Sequence, residues 1–321
     1  MEPSVKNFAL VGVAGYIAPR HVKAIKETGN KLVACLDKFD CVGYLDSFFP
    51  EADFFYEFER FERHIDKLKY TDRKIDYVSI CSPNYLHDSH IRFALWNRAH
   101  AICEKPLVLN PWNIEALMKL EQETNCNIYN ILQLRLHPAI IALKSEIENG
   151  PKDKIYDIDL AYITSRGKWY DYSWKGNSEK SGGVATNIGV HFFDMLLWIF
   201  GGIEKSRVHI SETHKAAGFL QLKNARVRWF LSIDYNDIPE AIRSKGQRTY
   251  RSITVGNREI EFSEGFTDLH TLSYRNILEG NGFRVAEAMP CIDAAYQIRN
   301  AKPIGLVDEY HPLCAVKNHI F

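Results

Sequence analysis

The sequence predicts a two-domain α/β chain: an N-terminal doubly wound parallel sheet, then an α+β domain on a large, mainly antiparallel open sheet. Three observations carry that prediction. Apolar runs of strand length alternate with helical stretches through the first 125 residues. From Ile128 onward the pattern turns to strand alternation and hairpin turns with few helices. The 321 residues, 46% of them hydrophobic, exceed what one modest core holds. The expected division is residues 1–125 and 126–321, joined tightly between Thr124 and Asn130 without a repeat or a low-complexity linker.

The first strand is FALVGV, Phe8 to Val13, a nearly continuous apolar run that suits a strand covered on both faces. PRHVKAIKETG reads as a helix with Pro19 near its start and Gly29 as its C-cap. KLVACLD is a second buried strand, closing at Asp37. Two helical stretches follow, the second around Phe58 to Lys69, and DYVSICSPN gives a further strand. HIRFALWNRA reads as a helix and HAICEKP as the strand after it. Strand, helix and strand joined by short loops make a doubly wound parallel sheet.

In the second half, IYNILQLRLHP opens the strand-rich region. IYDIDLAYITSR, GFLQLKNARVRWFLSID with a turn at Lys223 to Ala225, and SITVGNREIEFSEG with a turn at Gly256 to Asn257 are hairpin-like. Helices are expected over HPAIIALKSEIENG, Ile188 to Phe200, and Arg284 to Asn300. So few helices leave one face of a large sheet for another subunit, and a homo-oligomer, dimer or tetramer, is expected through it.

Composition excludes whole classes of partner. With 40 acidic and 40 basic residues there is no electrostatic footprint for nucleic acid or an anionic membrane. No apolar run reaches the ~20 residues of a bilayer span, and the N-terminus lacks a basic segment followed by a long apolar one. The seven cysteines are scattered through apolar runs without metal-ligand spacing, as in a reduced cytoplasmic protein with no metal centre. Small-molecule chemistry is the expectation that remains.

Ligands of a doubly wound sheet bind beyond the carboxyl ends of its strands, and each strand here ends in chemistry: GVAGYIA, Asp37, CSPNYLH and EKP. The first is a glycine-poor dinucleotide turn. GxGxxG read from Gly12 gives Gly12, Ala14 and Ile17, with an additional Gly15. Gly12 permits the tight turn, and Gly15 lets the backbone approach a pyrophosphate at the helix N-terminus. Asp37 closes the next strand about 25 positions on, where a carboxylate holds a ribose diol and repels a 2′-phosphate. This is a Rossmann-type signature that favours NAD over NADP, although Lys38 beside it keeps NADP open.

Downstream, GGVATNIGVHFFDMLLWIFGG (182–202) is nearly all core, yet carries His191 and Asp194 on one face of a helix. A base and a cation are what alcohol oxidation by a nicotinamide requires, and Lys105 and His191 are the candidates. His191 is a candidate base, with Asp194 one turn along to orient it or stabilise its charge; Asp194 as a structural hydrogen-bond partner fits equally. Glu104 accepts from the cofactor, holds Lys105, or sits in a structural ion pair. Ser82 and Pro83 lie against the dinucleotide, while Asn84 and His87 start the next helix, His87 as readily a cap or packing residue as a ligand contact. Arg135 and Arg166 are bidentate clamps for a carboxylate or phosphate. Around Arg166, Trp169, Tyr170, Tyr172 and Trp174 with Lys168 and Lys175 suit ring stacking with a ligand, or an oligomer interface.

The ordered set GVAGYIAPRH, CSPNYLH, AICEKPL and SGGVATNIGVHFFD resembles the glucose-fructose oxidoreductase / inositol dehydrogenase / MocA family over essentially the whole chain. GYIAPRH, LDKFD, NILQLRLHP and TSRGKWYDYSWKG are similar to the UDP-N-acetyl-glucosaminuronate (UDP-GlcNAcA) 3-dehydrogenases of bacterial surface-polysaccharide pathways. The resemblance implies NAD-dependent oxidation of the sugar C3′ hydroxyl to a 3-keto sugar, in lipopolysaccharide O-antigen biosynthesis. It implies cofactor contacts that include Tyr16, Ile17, Lys38 and Glu104, and substrate contacts at Gln133, Arg135, Arg166, Trp169, Tyr170, Asn187 and His191. Many relatives carry Asp where this chain has Asn187, so no carboxylate role is implied there. Rival readings are a dehydrogenase of a free sugar or cyclitol, and a non-catalytic NAD-binding regulator.

Overall fold

The computed structural model describes residues 5–256, 258–260 and 268–315. The apolar runs become strands where expected: β1 (Asn7–Val11), β2 (Lys31–Leu36), β4 (Tyr77–Ile80) and β5 (His100–Cys103), with short β3 (Asp53–Phe55) and β6 (Ile128–Asn130) completing the sheet. The order is β3-β2-β1-β4-β5-β6 and every neighbouring pair is parallel. Strands buried on both faces need no alternation, and β1, β2, β4 and β5 show almost none. The order reverses between β1 and β4, which puts the ligand crevice at their carboxyl ends.

The chain folds as two compact units, and the division differs from the one expected. One unit is Met1–Gln133 with Thr267–Met289; the other is Leu134–Phe266 with Pro290–Phe321. The join expected at residues 125–126 is too early, because β6 still pairs with β5. The helix Leu269–Leu278, unanticipated from the sequence, packs on the helix Ala18–Glu27 of the first unit. Its Tyr274 is fully buried and stacks on Phe8 of β1 at 5.8 Å.

The second unit holds β7 (Tyr156–Thr164), β8 (Ile203–Ser211), β9 (Lys215–Leu222), β10 (Ala225–Ser232), β11 (Thr249–Val255) and β12 (Arg258–Ile260). Their order is β12-β11-β7-β10-β9-β8, with only the β7–β10 pair parallel. The turn at Lys223 to Ala225 joins β9 and β10 as expected; Asn257 and residues 261–265 of the last hairpin run lie outside the described residues. IYDIDLAYITSR is one long strand between β10 and β11, not a hairpin.

On one sheet face Ile158, Leu160, Val227, Trp229 and Leu231 pack against the helices Pro138–Asn149 and Val190–Phe200. Trp229 meets Phe193 edge to face at 5.5 Å, and such a fully buried side chain contributes ~2–3 kcal/mol. The other face is not simply open, as the sequence suggested: Ile238 packs on Ile163, Ala217 and Phe230, joined by partly buried Leu313. Among the described residues no single helix is long and apolar enough to cross a membrane.

Candidate active site

In the first unit, the turn after β1 is shaped by Gly12, whose φ is +85°, in the left-handed region. A Cβ there would lie 2.7 Å from the backbone of Cys81 and Ser82, so only glycine lets this turn sit against the end of β4. Gly15 continues the turn, its amide donating to the Gly12 carbonyl at 3.0 Å. Tyr16 is exposed and Ile17 half-buried where the helix Ala18–Glu27 begins.

Asp37 follows β2 and is half-buried. Its Oδ2 accepts the Ala14 amide at 2.9 Å and its Oδ1 the Phe39 amide at 3.0 Å. A carboxylate has about four acceptor positions, so these bonds orient Asp37 and still leave room for ribose hydroxyls. Lys38 beside it is exposed.

The loops after β4 and β5 are tied together by His87. Its Nδ1 lies 2.7 Å from the Pro106 carbonyl and its Nε2 lies 2.9 Å from the Ser82 carbonyl. The side chain is 1% exposed, so His87 is a brace between the two loops rather than a helix cap or a surface contact. Ser82 Oγ pairs with His90 Nδ1 at 2.8 Å, and buried Asn84 opens a short 3-10 turn after Pro83.

Lys105 follows the end of β5, half-buried, with a cis bond to Pro106. Beside it, Glu104 is 5% exposed. Its Oε1 accepts from Nε2 of His21 at 3.0 Å and of His270 at 2.9 Å, and its Oε2 accepts the Lys105 amide at 3.1 Å. Burial pushes this carboxyl up, but the hydrogen bonds from His21 and His270 outweigh it and hold the group well below the usual range. Of the alternatives open for Glu104, the structure shows a structural pairing, with His21 and His270, and a hold on Lys105 made through the backbone amide.

Three ligand-type atoms meet here within 4.8 Å, but the arrangement is a hydrogen-bonded one. Both histidines aim at the same oxygen at 2.9–3.0 Å, whereas ligands at ~2.1 Å from a tetrahedral metal stand about 3.4 Å apart.

Gln133 ends the first unit's main segment, buried, with Oε1 lacking a hydrogen-bond partner. A buried acceptor in that state suits a donor brought by a ligand.

In the second unit, His191 lies in the first turn of the helix Val190–Phe200, half-buried after the left-handed Gly182 and Gly183. Asp194, one turn on, has both oxygens in the fork of Arg135: Nη2 to Oδ1 at 2.7 Å and Nε to Oδ2 at 3.0 Å. The side chains are 8% and 3% exposed. This corrects the expectation for Arg135: the bidentate fork assigned to a substrate anion closes on a carboxylate of the chain. It also gives Asp194 a structural partner, one of the two alternatives open for it.

Asn187 Nδ2 donates to the Tyr170 hydroxyl at 3.0 Å, both residues buried. Tyr170 is therefore held in the interior, while Trp169 and Tyr172 are exposed and Arg166 projects from an exposed loop. Lys175 lies over Trp169 and Trp174 at 5.1 and 5.6 Å from their ring centroids. The sequence missed His21, His270, Tyr274 and Asn130, whose Nδ2 donates to the Cys103 carbonyl at 3.0 Å. Of these only the histidines carried a signal, and that only as ionisable side chains.

Residues 6–131 match the NAD-binding Rossmann-fold domain of the GFO/IDH/MocA oxidoreductase family, and residues 144–303 match its C-terminal alpha/beta domain. A crystal structure of the WlbA (WbpB) dehydrogenase from Thermus thermophilus with NAD and alpha-ketoglutarate is 51% identical at a TM-score of 0.93, covering 96% of this chain and 99% of that one. Its complex with NAD and UDP-GlcNAcA gives 50% identity with the same TM-score and coverage. The inositol 2-dehydrogenase of Rhizobium meliloti is 29% identical over 200 residues, 61% of this chain and 55% of that protein. The glucose-6-phosphate 3-dehydrogenase of Bacillus subtilis is 23% identical over 247 residues, 75% and 65% respectively. The matched stretches thus span only about half to two thirds of these curated relatives' length. With both domains matched in order and the strand-end motifs in place, the chain belongs to the GFO/IDH/MocA family of oxidoreductases.

Proposed function

We propose that this protein is an NAD-dependent dehydrogenase that oxidises the C3′ hydroxyl of UDP-GlcNAcA to the 3-keto sugar. The observation that carries the proposal is its half-identity, over nearly the full length of both chains, to a dehydrogenase solved with NAD and UDP-GlcNAcA. The first unit's residues suit the cofactor: the Gly12 turn has no room for a side chain, and Asp37 keeps acceptor positions for a ribose diol. When bound, NAD supplies the ring that accepts hydride from the sugar.

The chain's own part is proton transfer and charge stabilisation. In this reading His191 accepts the hydroxyl proton, and Lys105, as an ammonium, stabilises the oxygen as negative charge develops. Ser82, Pro83, Asn84, Tyr16, Ile17 and Lys38 line the cofactor, while Gln133, Arg166, Trp169, Tyr170 and Asn187 serve the nucleotide sugar. Arg166 takes over as the anion clamp, since Arg135 is engaged by Asp194. Asp194, held by Arg135, supports the helix that carries His191. We further place the protein in the cytoplasm, in surface-polysaccharide (lipopolysaccharide O-antigen) synthesis, as a homo-oligomer assembled through the second unit's sheet. The half-exposed ladder of Asp159 and Arg228 on that sheet supports a polar contact surface.

The test is the near-ultraviolet absorbance of reduced nicotinamide after adding UDP-GlcNAcA to the protein with NAD. Growth with the UDP-uronic acid is expected; growth only with free sugars or cyclitols selects that rival, and none with any sugar despite bound NAD selects the regulator. Lys105→Ala and His191→Ala should each lower kcat roughly 10²–10⁴-fold with little change in KM. His191→Ala alone should remove the acidic limb of kcat/KM; loss of that limb with Lys105→Ala instead reverses the two roles.

A further inference from the structure

Glu104 immediately precedes Lys105, and its carboxylate is surrounded by side chains drawn from distant parts of the sequence. Behind His21, Nδ1 lies 2.8 Å from the Tyr274 hydroxyl, which is itself 2.5 Å from Ser79 Oγ. Ser79, His21 and Tyr274 are fully buried and His270 is 1% exposed. These contacts are all satisfied when the protons run in one direction. Ser79 donates to the Tyr274 oxygen, Tyr274 donates to Nδ1 of His21, and Nε2–H of His21, Nε2–H of His270 and the Lys105 amide all donate to Glu104. His21 is then neutral and Glu104 is an anion with three donors.

We infer that His21, His270 and Tyr274 are positioning residues for Lys105: they lock Glu104 in place, and Glu104 in turn fixes the backbone that carries the Lys105 ammonium. The inference rests on the role proposed for Lys105 above. A group of pure packing residues would be apolar at these depths, since burying a carboxylate and two imidazoles is costly unless all are hydrogen-bonded. It also gives the helix Leu269–Leu278 a purpose in the first unit, because that helix supplies both His270 and Tyr274. The proton assignment agrees with the direction in which burial drives His21, below the usual histidine range.

His270→Leu, His270→Gln and Tyr274→Phe test this, with kcat, KM and melting temperature measured for each. Displacing a reacting group by about 1 Å costs on the order of 100-fold, so His270→Leu should lower kcat about 10- to 100-fold and leave KM for UDP-GlcNAcA within about twofold. Gln presents an N–H near the place of Nε2–H, so His270→Gln should recover most of the loss; Tyr274→Phe, one bond further away, should lose less. Native kcat in His270→Leu below its melting temperature, or no rescue by Gln, overturns the proposal. Infrared difference spectra of the native protein against Glu104→Gln provide an arm that needs no turnover. A carboxylate band at neutral pH is expected, and a protonated carboxyl overturns the network. One metal ion per chain, lost in His270→Leu, overturns it too. A native protein that leaves UDP-GlcNAcA unoxidised sinks the proposed substrate, and the infrared arm still decides the network.

Discussion

Each unit buries a carboxylate close in sequence to a residue assigned to the chemistry, and the two are paired in different ways. Glu104, next to Lys105, is held by two imidazoles and a backbone amide. Asp194, one turn from His191, is held by the Arg135 guanidinium, so that pair is neutral as a whole. On the proposed roles, a carboxylate beside Lys105 favours its ammonium, while the Arg135–Asp194 pair anchors the helix that carries His191. A buried carboxylate near an active site is thus informative only once its partner is known.

The largest expected effect breaks the comparison on the Asp194 side. Arg135→Ala strands a buried charge and should cost ~3–5 kcal/mol of unfolding free energy by denaturant titration, while the Arg135→Met/Asp194→Leu double variant should recover most of it. Native stability together with a sharply raised KM in Arg135→Ala would return Arg135 to the role of substrate clamp.

A second effect asks whether histidine burial, rather than carboxylate pairing, sets the acid limit of each unit. Burial pushes His90 in the first unit and His311 in the second down to about 4, and lowers His21 and His87 as well. A histidine depressed in the folded state stays neutral there while the unfolded chain binds a proton. Its stabilising effect is therefore complete above about pH 6.5 and is lost as pH falls toward 4. His90 alone should account for a loss on the order of 3 kcal/mol between pH 7 and pH 4, and His90→Gln should flatten the slope of melting temperature against pH. Glu104, depressed instead from the carboxylate range, adds a loss only below about pH 4.5. A stability curve flat down to pH 4.5 would refute the histidine account.

The smallest effect concerns a carboxylate that, unlike the other two, is only half-buried. Asp37→Ala removes a charge-assisted bond to ribose worth ~1.5 kcal/mol, so the preference for NAD over NADP should narrow by about tenfold in calorimetric titration. Asp37→Asn should preserve more of the fold of the turn, since an amide oxygen still accepts from Ala14. Equal affinity of the unaltered protein for both cofactors would remove Asp37 from the site.

What was legible in the sequence followed from local physics. Continuous apolar runs announced β1, β2, β4 and β5, and the same strand ends displayed Gly12, Asp37 and Glu104–Lys105. What was not legible had weak local signal. β8, IEKSRVHIS, is an edge strand half exposed along its length, so its charges read as loop; β3 has three residues. The helix Leu269–Leu278 shows little apolar periodicity because both His270 and Tyr274 face inward.

By itself, then, the order of residues determined the alternating strands and helices, the glycine turn that a dinucleotide needs, and the presence of Lys105 and His191 at strand end and helix start. Those follow from backbone sterics and burial, which act over a few neighbours. Only the tertiary structure decided that Arg135 belongs to Asp194, 59 positions away, and that His270 returns across 166 positions to share Glu104 with His21. A buried charge must find its partner wherever folding brings a donor within about 3 Å, and sequence separation has no bearing on that distance.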